Sequence, residues 1–200
     1  MKILIATKNG AKAGDYKNIL TSFGIPTITL KELNDNDDVE EAGNSLKENA
    51  KIKALYFAKK YHMPAIADDS GFEIDALGGE PGIYARRWPG YEATDQELRD
   101  MVINKLQNIP LNKRTAKFTN VTVLANDKGE MVANGTGYID GYIPLEISPK
   151  KIEGFPYRSV LFVTQFNKFW CDLTEEEFRQ LNFRYKAVES IIPQIKNLLK

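Results

Sequence analysis

Between Lys2 and Ala67, short apolar runs alternate with helical segments, and this alternation constrains the fold more than any other feature. Lys2 to Ala6 (KILIA) has the length and composition of a buried strand. Ala11 to Phe23 follows as a helix, stopped by Gly24 and Pro26, and Thr27 to Leu30 is a second β-rich piece. Ser45-Leu46-Lys47-Glu48 matches a capping box and predicts a helix to Tyr61, after which Ala65-Ile66-Ala67 is a short buried strand. Strands joined through helices run parallel, because the helix carries the chain back across the sheet. Phe72 to Leu77 alternates apolar and polar residues before a turn at Gly78–Gly82. A second capping box at Thr94-Asp95-Gln96-Glu97 leads into Leu98, Met101, Val102 and Leu106 at helical spacing. Thr115–Ala125 and Glu130–Ile143 read as strands joined at Asn126-Asp127-Lys128-Gly129, and Glu175–Leu199 as a helix in two pieces. The expectation is an α/β fold with a mixed β-sheet flanked by helices. With 200 residues and no repeat or linker, residues 1–200 form one domain or two small lobes.

Composition narrows the chemistry. One Cys and one His exclude a disulfide framework and a zinc site of the Cys/His type, and leave little room for a Ser-His-Asp or Cys-His catalyst. Carboxylates, Lys, Arg, Tyr and backbone amides remain, and carboxylates favour hard cations such as Mg²⁺. Lys plus Arg equals Asp plus Glu at 27 each, so nothing global attracts the chain to polymeric nucleic acid or an anionic membrane, and any anion binding is local. No run approaches the length of a membrane span or the core of a signal peptide, and Cys171 fits a reducing compartment, so the expected location is cytoplasmic.

Two segments carry candidate chemistry. Thr7-Lys8-Asn9-Gly10-Ala11-Lys12 lies between the first strand and the first helix. A helix N-terminus there offers free N–H groups and partial positive charge, to which Lys8 and Lys12 add full charges and Thr7 and Asn9 side-chain donors. Gly10 allows close backbone approach. This suits a polyphosphate without being a Walker A loop or a G-x-G-x-x-G turn. The competing reading is an ordinary turn with solvated lysines. In the second segment, Asp68 and Asp69 follow the apolar strand, where open α/β sheets place ligands. Two adjacent carboxylates repel unless a cation or donors neutralise them, and Mg²⁺ with phosphate oxygens is a natural partner. Ser70 and Gly71 are expected to turn the chain, and Glu41 can add a third carboxylate. The competing reading is a plain Asp-Asp-Ser-Gly turn.

Weaker candidates follow. Arg86 and Arg87 between Tyr84 and Trp88 can clamp a phosphate or stack on rings. Phe155, Tyr157, Phe162, Phe166, Phe169 and Trp170 are mostly core, with one or two free to stack on a base. The acidic run Asp35–Glu41 reads as a solvated loop, and His62 as a surface residue at a helix end.

Together these pieces resemble one family, the inosine triphosphate pyrophosphatases, also described as dITP/XTP pyrophosphatases. The matching segments are ATKNGAK at Ala6–Lys12, EEAGNSLKENAKIKA at Glu40–Ala54, ADDSGFEIDALGGEPGIYARRW at Ala67–Trp88, RTAKF at Arg114–Phe118 and GYIDGYI at Gly137–Ile143. The resemblance implies an elongated mixed α/β fold of two lobes with a central cleft. It also implies a homodimer, and Mg²⁺-dependent hydrolysis of a nucleoside triphosphate to monophosphate and pyrophosphate. By that resemblance Thr7, Asn9 and Lys12, in the loop that holds Gly10, would grip the triphosphate. Glu41 and Asp69 would bind the metal with Asp68 close by, and Asp69 would accept the proton of the attacking water. Ser70 would contact substrate, and Arg87 would lie near it.

The last third departs from the pattern. Where the family has Gly-Phe-Gly-Tyr-Asp-Pro, this chain has Gly154-Phe155-Pro156-Tyr157-Arg158-Ser159. Where it has Ser-His-Arg, this chain has Asn182-Phe183-Arg184, and a substrate-contacting Lys is replaced by Phe178. In the family those positions would surround the purine and part of the phosphate, so the resemblance leaves Arg184 as one donor, with Phe155 and Tyr157 as candidate stacking partners. A pyrophosphatase for a different base and a nucleotide-binding sensor with little turnover are the alternatives.

Overall fold

The computed structural model describes all 200 residues. Its strands are β1 (Ile3–Ile5), β2 (Thr27–Thr29), β3 (Ala65–Ile74), β4 (Pro81–Gly82), β5 (Thr115–Ala125), β6 (Met131–Tyr142), β7 (Phe162–Val163) and β8 (Lys168–Phe169). Its helices are α1 (Gly10–Ser22), α2 (Leu46–Tyr61), α3 (Asp95–Leu106), α4 (Glu175–Leu181), α5 (Phe183–Glu189) and α6 (Ile192–Leu198). The sheet is mixed and open, in the order β2-β1-β3-β5-β6-β7-β8, with β4 on β3. β1 pairs in parallel with both β2 and β3, as strand–helix alternation requires, whereas β4 on β3 and the β6–β7–β8 ladder are antiparallel. No helix is long and apolar enough to cross a membrane.

The chain divides into two units. The first comprises Met1–Ser70, Asn120–Gly137 and Phe183–Lys200. Strand alternation splits its core into two layers on opposite sheet faces. Ile3, Ile5, Ile66 and Leu124 meet Tyr16, Ile19 and Leu20 of α1 together with Val188 and Ile195 of α5 and α6. Leu4, Ala6, Ala65, Ala67, Val121 and Val123 meet Ala50, Ala54 and Phe57 of α2. The capping box expected at Ser45 forms by half: Ser45 Oγ accepts from the Glu48 N–H, but the Glu48 carboxylate accepts from the Asn44 N–H instead of that of Ser45. On α1, Asn9 Oδ1 caps the helix by accepting from the Lys12 N–H, each such cap worth about 1 kcal/mol. His62 ends α2 in the left-handed region at φ 49°, exposed. On β6, Gly135 and Gly137 are bare for a reason. A Cβ on the first would lie 1.8 Å from the carbonyl oxygen of Ala187, and on the second 1.9 Å from that of Phe183, so α5 rests directly on the strand backbone.

The second unit comprises Gly71–Thr119 and Tyr138–Asn182. The capping box at Thr94 and Glu97 forms with both of its bonds and starts α3. Arg114 closes the other end of α3. Its guanidinium donates to the carbonyls of Leu106 (2.7 Å), Ile109 (2.9 Å) and Pro144 (3.2 Å), satisfying buried acceptors that the helix leaves open. Phe72 and Tyr157 stack at 4.4 Å in its interior.

Three other expectations change. The segment Asp68-Asp69-Ser70-Gly71 is not a turn, because β3 runs straight through it for ten residues. Ile66, Phe72 and Ile74 on either side are fully buried, so continuing the strand buries both ends. The acidic loop is not simply solvated. Asp35 is 8% exposed and accepts from Lys60 (2.6 Å), Tyr61 (2.5 Å) and the Asp37 N–H (2.8 Å), while Asp37 accepts from Lys60 and Tyr56. Tyr56, Lys60 and Tyr61 lie one turn apart on α2 and staple the loop down. Finally, Glu175–Leu199 forms three helices rather than two, with a second break before Pro193.

Candidate active site

β3 carries the two acids, and its two-residue period sends them to opposite faces of the sheet. Asp68 lies on the face of Ile66, against α1, and Asp69 on the face of Ala65 and Ala67, against α2. The neighbours in sequence therefore do not form one carboxylate pair. Asp68 pairs directly with Lys12, while Asp69 lies in the field of Lys53, which pairs with Glu41.

On the α1 face, Lys12 Nζ lies 3.0 Å from Asp68 Oδ2 and 3.4 Å from Ser70 Oγ. Asp68 is 1% exposed. Burial pushes its carboxyl upward, but the charges of Lys12, Arg184 and Lys53 outweigh that and hold it below its ordinary value. Asn120 donates to the same oxygen at 2.7 Å and to Ser70 Oγ at 3.0 Å. The other oxygen, Asp68 Oδ1, is buried without a hydrogen-bond partner. Arg184, also buried, pairs with Asp15 of α1 at 2.8 Å and lies over the Phe183 ring at 4.7 Å.

On the α2 face, Asp69 Oδ2 accepts from Asn49 Nδ2 at 3.1 Å and Oδ1 from the Ser70 N–H at 2.9 Å. Asn49 is itself fixed, since its Oδ1 accepts from the Gly43 N–H at 2.9 Å. Only glycine fits there: a Cβ on residue 43 would lie 2.7 Å from that oxygen. Lys53, one turn after Asn49, pairs with Glu41 at 2.5 Å. Burial raises the Asp69 carboxyl, Lys53 opposes this, and Glu41 adds to the rise, so the net position is above that of an ordinary aspartate. The Lys53 ammonium, lowered by burial but raised more by Asp69, Glu41 and Asp68, stays charged.

The β1–α1 turn sits beside both faces. Thr7 Oγ1 accepts from the Asn9 N–H at 3.3 Å, and Asn9 spends its carbonyl oxygen on the cap. Gly10 is exposed, with nothing within 4 Å of where a Cβ would be, so the turn there is open rather than crowded. A cavity of about 460 Å³ opens beside it, lined by Thr7, Lys8, Gly10, Lys17 and Lys31 among others. Lys8 pairs with Asp38 at 2.6 Å.

The remaining candidates lie in the second unit. Arg87 is exposed in the turn after Tyr84. Tyr157 is buried: its hydroxyl donates to the Ala85 carbonyl at 2.5 Å and one ring face is taken by Phe72. It is a core residue, because both of its recognition handles are spent. Phe155 is half-buried under the guanidinium of Arg158, which lies 4.3 Å from its ring centre, 5.2 Å from that of Trp170 and 5.1 Å from that of Phe178.

Asn49, Lys53 and Asn120 were not among the sequence candidates. The signal for the first two is a polar residue and a lysine four apart on the helix stripe that also carries Ala50 and Ala54. For Asn120 it is an amide, followed two residues later by Thr122, within a strand that ends in the apolar residues Val123–Ala125.

A hard cation fits this donor set. No three carboxylates or histidines converge into a ready-made cage. Mg²⁺ rarely uses one, taking one or two carboxylates and completing its shell with substrate phosphates and water. Glu41 and Asp69 share a face and repel each other, and the orphaned Asp68 Oδ1 is a further uncompensated acceptor. Added positive charge relieves both.

The fold is thus an open, mixed α/β sheet with two acids in β3 and lysines on the helices that flank it. Residues 3–194 match the Ham1 family model, and the chain belongs to that family. It is 38% identical over 188 residues to the dITP/XTP pyrophosphatase of Halalkalibacterium halodurans, covering 94% of this chain and 95% of that protein. It is 36% identical over 199 residues to the dITP/XTP pyrophosphatase of Escherichia coli O157:H7, covering 98% of each. Among solved structures it superimposes on the Staphylococcus aureus Ham1 protein with a TM-score of 0.84 at 31% identity, covering 98% of this chain and 99% of that one. It also superimposes on a Mycobacterium abscessus protein described as nucleoside-triphosphatase / dITP/XTP pyrophosphatase, with a TM-score of 0.78 at 30% identity, covering 96% and 100%.

Proposed function

We propose that this chain is a Mg²⁺-dependent nucleoside triphosphate pyrophosphatase that removes non-standard purine nucleotides such as ITP, dITP and XTP from the nucleotide pool. The observation that carries it is the arrangement of Asp68 with Lys12 on one face of β3 and of Asp69 with Asn49, near the Lys53–Glu41 pair, on the other, with the open turn Thr7–Lys12 leading into the helix of Lys12. The names of the relatives point the same way.

In this reading Lys12, Lys53 and the amides at the start of α1 take the charge of the triphosphate. Thr7, Asn9 and Ser70 orient it, and Arg87 lies near it. Glu41 and Asp69, with Asp68 adjacent, would hold Mg²⁺, which when bound offsets negative charge on the phosphates. Asp69 takes a proton from water, its affinity for that proton raised by burial and Glu41, while Asn49 and the Ser70 N–H hold it still. The water oxygen bonds to the α-phosphorus, the bond from that phosphorus to the α–β bridging oxygen breaks, and pyrophosphate leaves. The enzyme works as a cytoplasmic homodimer of two-lobed chains.

The test is a panel of standard and damaged NTPs and dNTPs with Mg²⁺, reading pyrophosphate and orthophosphate separately. Monophosphate with pyrophosphate is expected; orthophosphate with a diphosphate refutes the mechanism, and full activity in excess chelator refutes the metal. A second reading, a pyrophosphatase for another base or a weakly active nucleotide sensor, is favoured by the Arg158 cluster, where a guanidinium among three rings takes the place of the family's acid.

A further inference from the structure

Behind Asp68 lies a closed polar cluster inside an apolar layer. Tyr16, Asn120 and Thr122 are 1%, 0% and 0% exposed, surrounded by Ile5, Ile66 and Leu124 of the same sheet face. Such burial costs free energy unless every group is paired, so the pairing is informative. Tyr16 Oη and Thr122 Oγ1 are 2.6 Å apart, and both approach Asn120 Oδ1, at 3.2 and 3.4 Å. Two hydroxyl protons are available. Whichever hydroxyl donates to the other, the remaining proton goes to Asn120 Oδ1. The amide is thus held with its NH₂ towards Asp68, a carboxylate that can only accept. That NH₂ reaches Asp68 Oδ2 and Ser70 Oγ, the two atoms that Lys12 also approaches.

We infer that Asn120, locked by Tyr16 and Thr122, is a positioning residue that fixes the Asp68 carboxylate and the Ser70 hydroxyl and, through them, the ammonium of Lys12. The inference rests on the proposed role of Lys12 in holding phosphate. Asn120 touches no substrate in this scheme. It saves Lys12 the ordering that a flexible four-carbon stem otherwise undergoes on binding, which is how preorganisation gains affinity. Tyr16 is the remote end of the device: it lies on α1, one turn after Lys12, so the helix that carries the lysine also carries the residue that locks its partner.

The test uses the whole protein and two probes: inorganic tripolyphosphate, whose affinity is read by calorimetry without turnover, and ITP, whose kcat and KM are read by pyrophosphate release. Asn120→Ala is expected to lose about tenfold or more in tripolyphosphate affinity, with a rise in KM for ITP exceeding any fall in kcat, because Lys12 grips ground and transition states alike. Tyr16→Phe is expected to lose about threefold, and to add nothing when introduced into Asn120→Ala, since it acts only through that amide. A structural contribution alone would lower the melting temperature while leaving tripolyphosphate affinity of the folded protein unchanged. That outcome, or an undiminished Tyr16→Phe effect in the Asn120→Ala background, overturns the inference. Should Asn120→Ala fail to fold, the double variant Tyr16→Phe with Thr122→Val, which leaves no hydroxyl proton for Asn120 Oδ1, decides, and wild-type affinity in it overturns the inference. A wild-type protein that binds tripolyphosphate but turns over no nucleotide refutes the proposed function and leaves the affinity comparison intact.

Discussion

The cations around the two acids of β3 and the guanidinium of Arg158 are set in different surroundings. The former are set against carboxylates: Lys12 on Asp68, Lys53 on Glu41, Arg184 on Asp15. The latter lies among the rings of Phe155, Trp170 and Phe178. Ion pairs hold a geometry and can trade a carboxylate for a phosphate. Rings around a guanidinium hold it by faces, which fixes no donor pattern and tolerates many flat partners. On the proposed function, the first arrangement would meet what all nucleoside triphosphates share, and the second would bear on what distinguishes them.

The largest effect should come from Asp69→Asn. Losing a general base alone costs about 10²–10⁴ in rate, and a weakened metal site adds to it. The fold should survive, because burial already disfavours the charged form of this residue. An amide donor facing the Asn49 donor adds about 1–3 kcal/mol of destabilisation. Activity within about threefold of wild type in a pyrophosphate-release assay would refute the assigned role.

Next is Lys12→Met, which leaves the fully buried Asp68 without its nearest cation. Breaking a buried pair from one side costs about 3–5 kcal/mol, and denaturant unfolding should show it. A loss below about 1 kcal/mol, the range of an exposed pair, would mean that Arg184 and Lys53 suffice to hold Asp68.

The base panel sharpens the contrast between the two surroundings. A site built to hydrogen-bond a substrate group can reject an analogue by about 10⁴–10⁵. With Phe183 and Phe178 in place of donors, the ratio of kcat/KM for ITP over GTP is expected within about tenfold. Comparing ITP, XTP, GTP, ATP and UTP measures it. A preference for ITP and XTP on the order of a thousandfold would show that purine recognition survives these substitutions.

The smallest effect is in acid. The Asp35 carboxyl sits at about 2 rather than 3.8, held down by Lys60 and then Tyr61, and Glu32 at about 2 rather than 4.5, held chiefly by Thr29 and Lys17. Depressed carboxylates add stability above their unfolded values and lose it as pH falls through the folded ones. The gap in melting temperature between wild type and Asp35→Asn should therefore be full at pH 6 and close towards pH 2. A gap that is constant with pH would show that the staple acts through shape rather than charge.

Much of the first unit was legible because its signals are local. Apolar runs, the cap at Ser45 and the stops at Gly24 and Pro26 mark β1, α1, β2 and α2 within a residue or two of where they lie. The turn at Asn126–Gly129 and both strands around it follow from turn chemistry, with Gly129 at φ 75°. What escaped depends on facing. Asp-Asp-Ser-Gly has the composition of a turn, and only the burial of Phe72 and Ile74 makes it strand; once it is strand, the acids must part. Asn49, Lys53 and Asn120 are polar residues on inward faces, and the pairings of Asn49 with Asp69 and of Asn120 with Tyr16 span 20 and 104 positions in sequence, beyond the reach of a local window. The guanidinium cluster of the second unit was divided among separate motifs, so Arg158 and Phe178 read as two unrelated losses when in space they are neighbours.

The two bare glycines of β6 set a limit of a different kind. With Gly135 and Gly137 in contact range of the Ala187 and Phe183 carbonyls, α5 has no side chain beneath it at those two points to compress or repack. The helix is seated backbone on backbone, like a part machined to zero clearance. Even a single methyl at either position must lift it. Arg184 is the residue after Phe183, and it would be carried away from Asp15 and from the field that steadies Asp68. Two positions without side chains, on a strand that supplies no candidate site residue, thus govern the electrostatics of the acid that anchors Lys12.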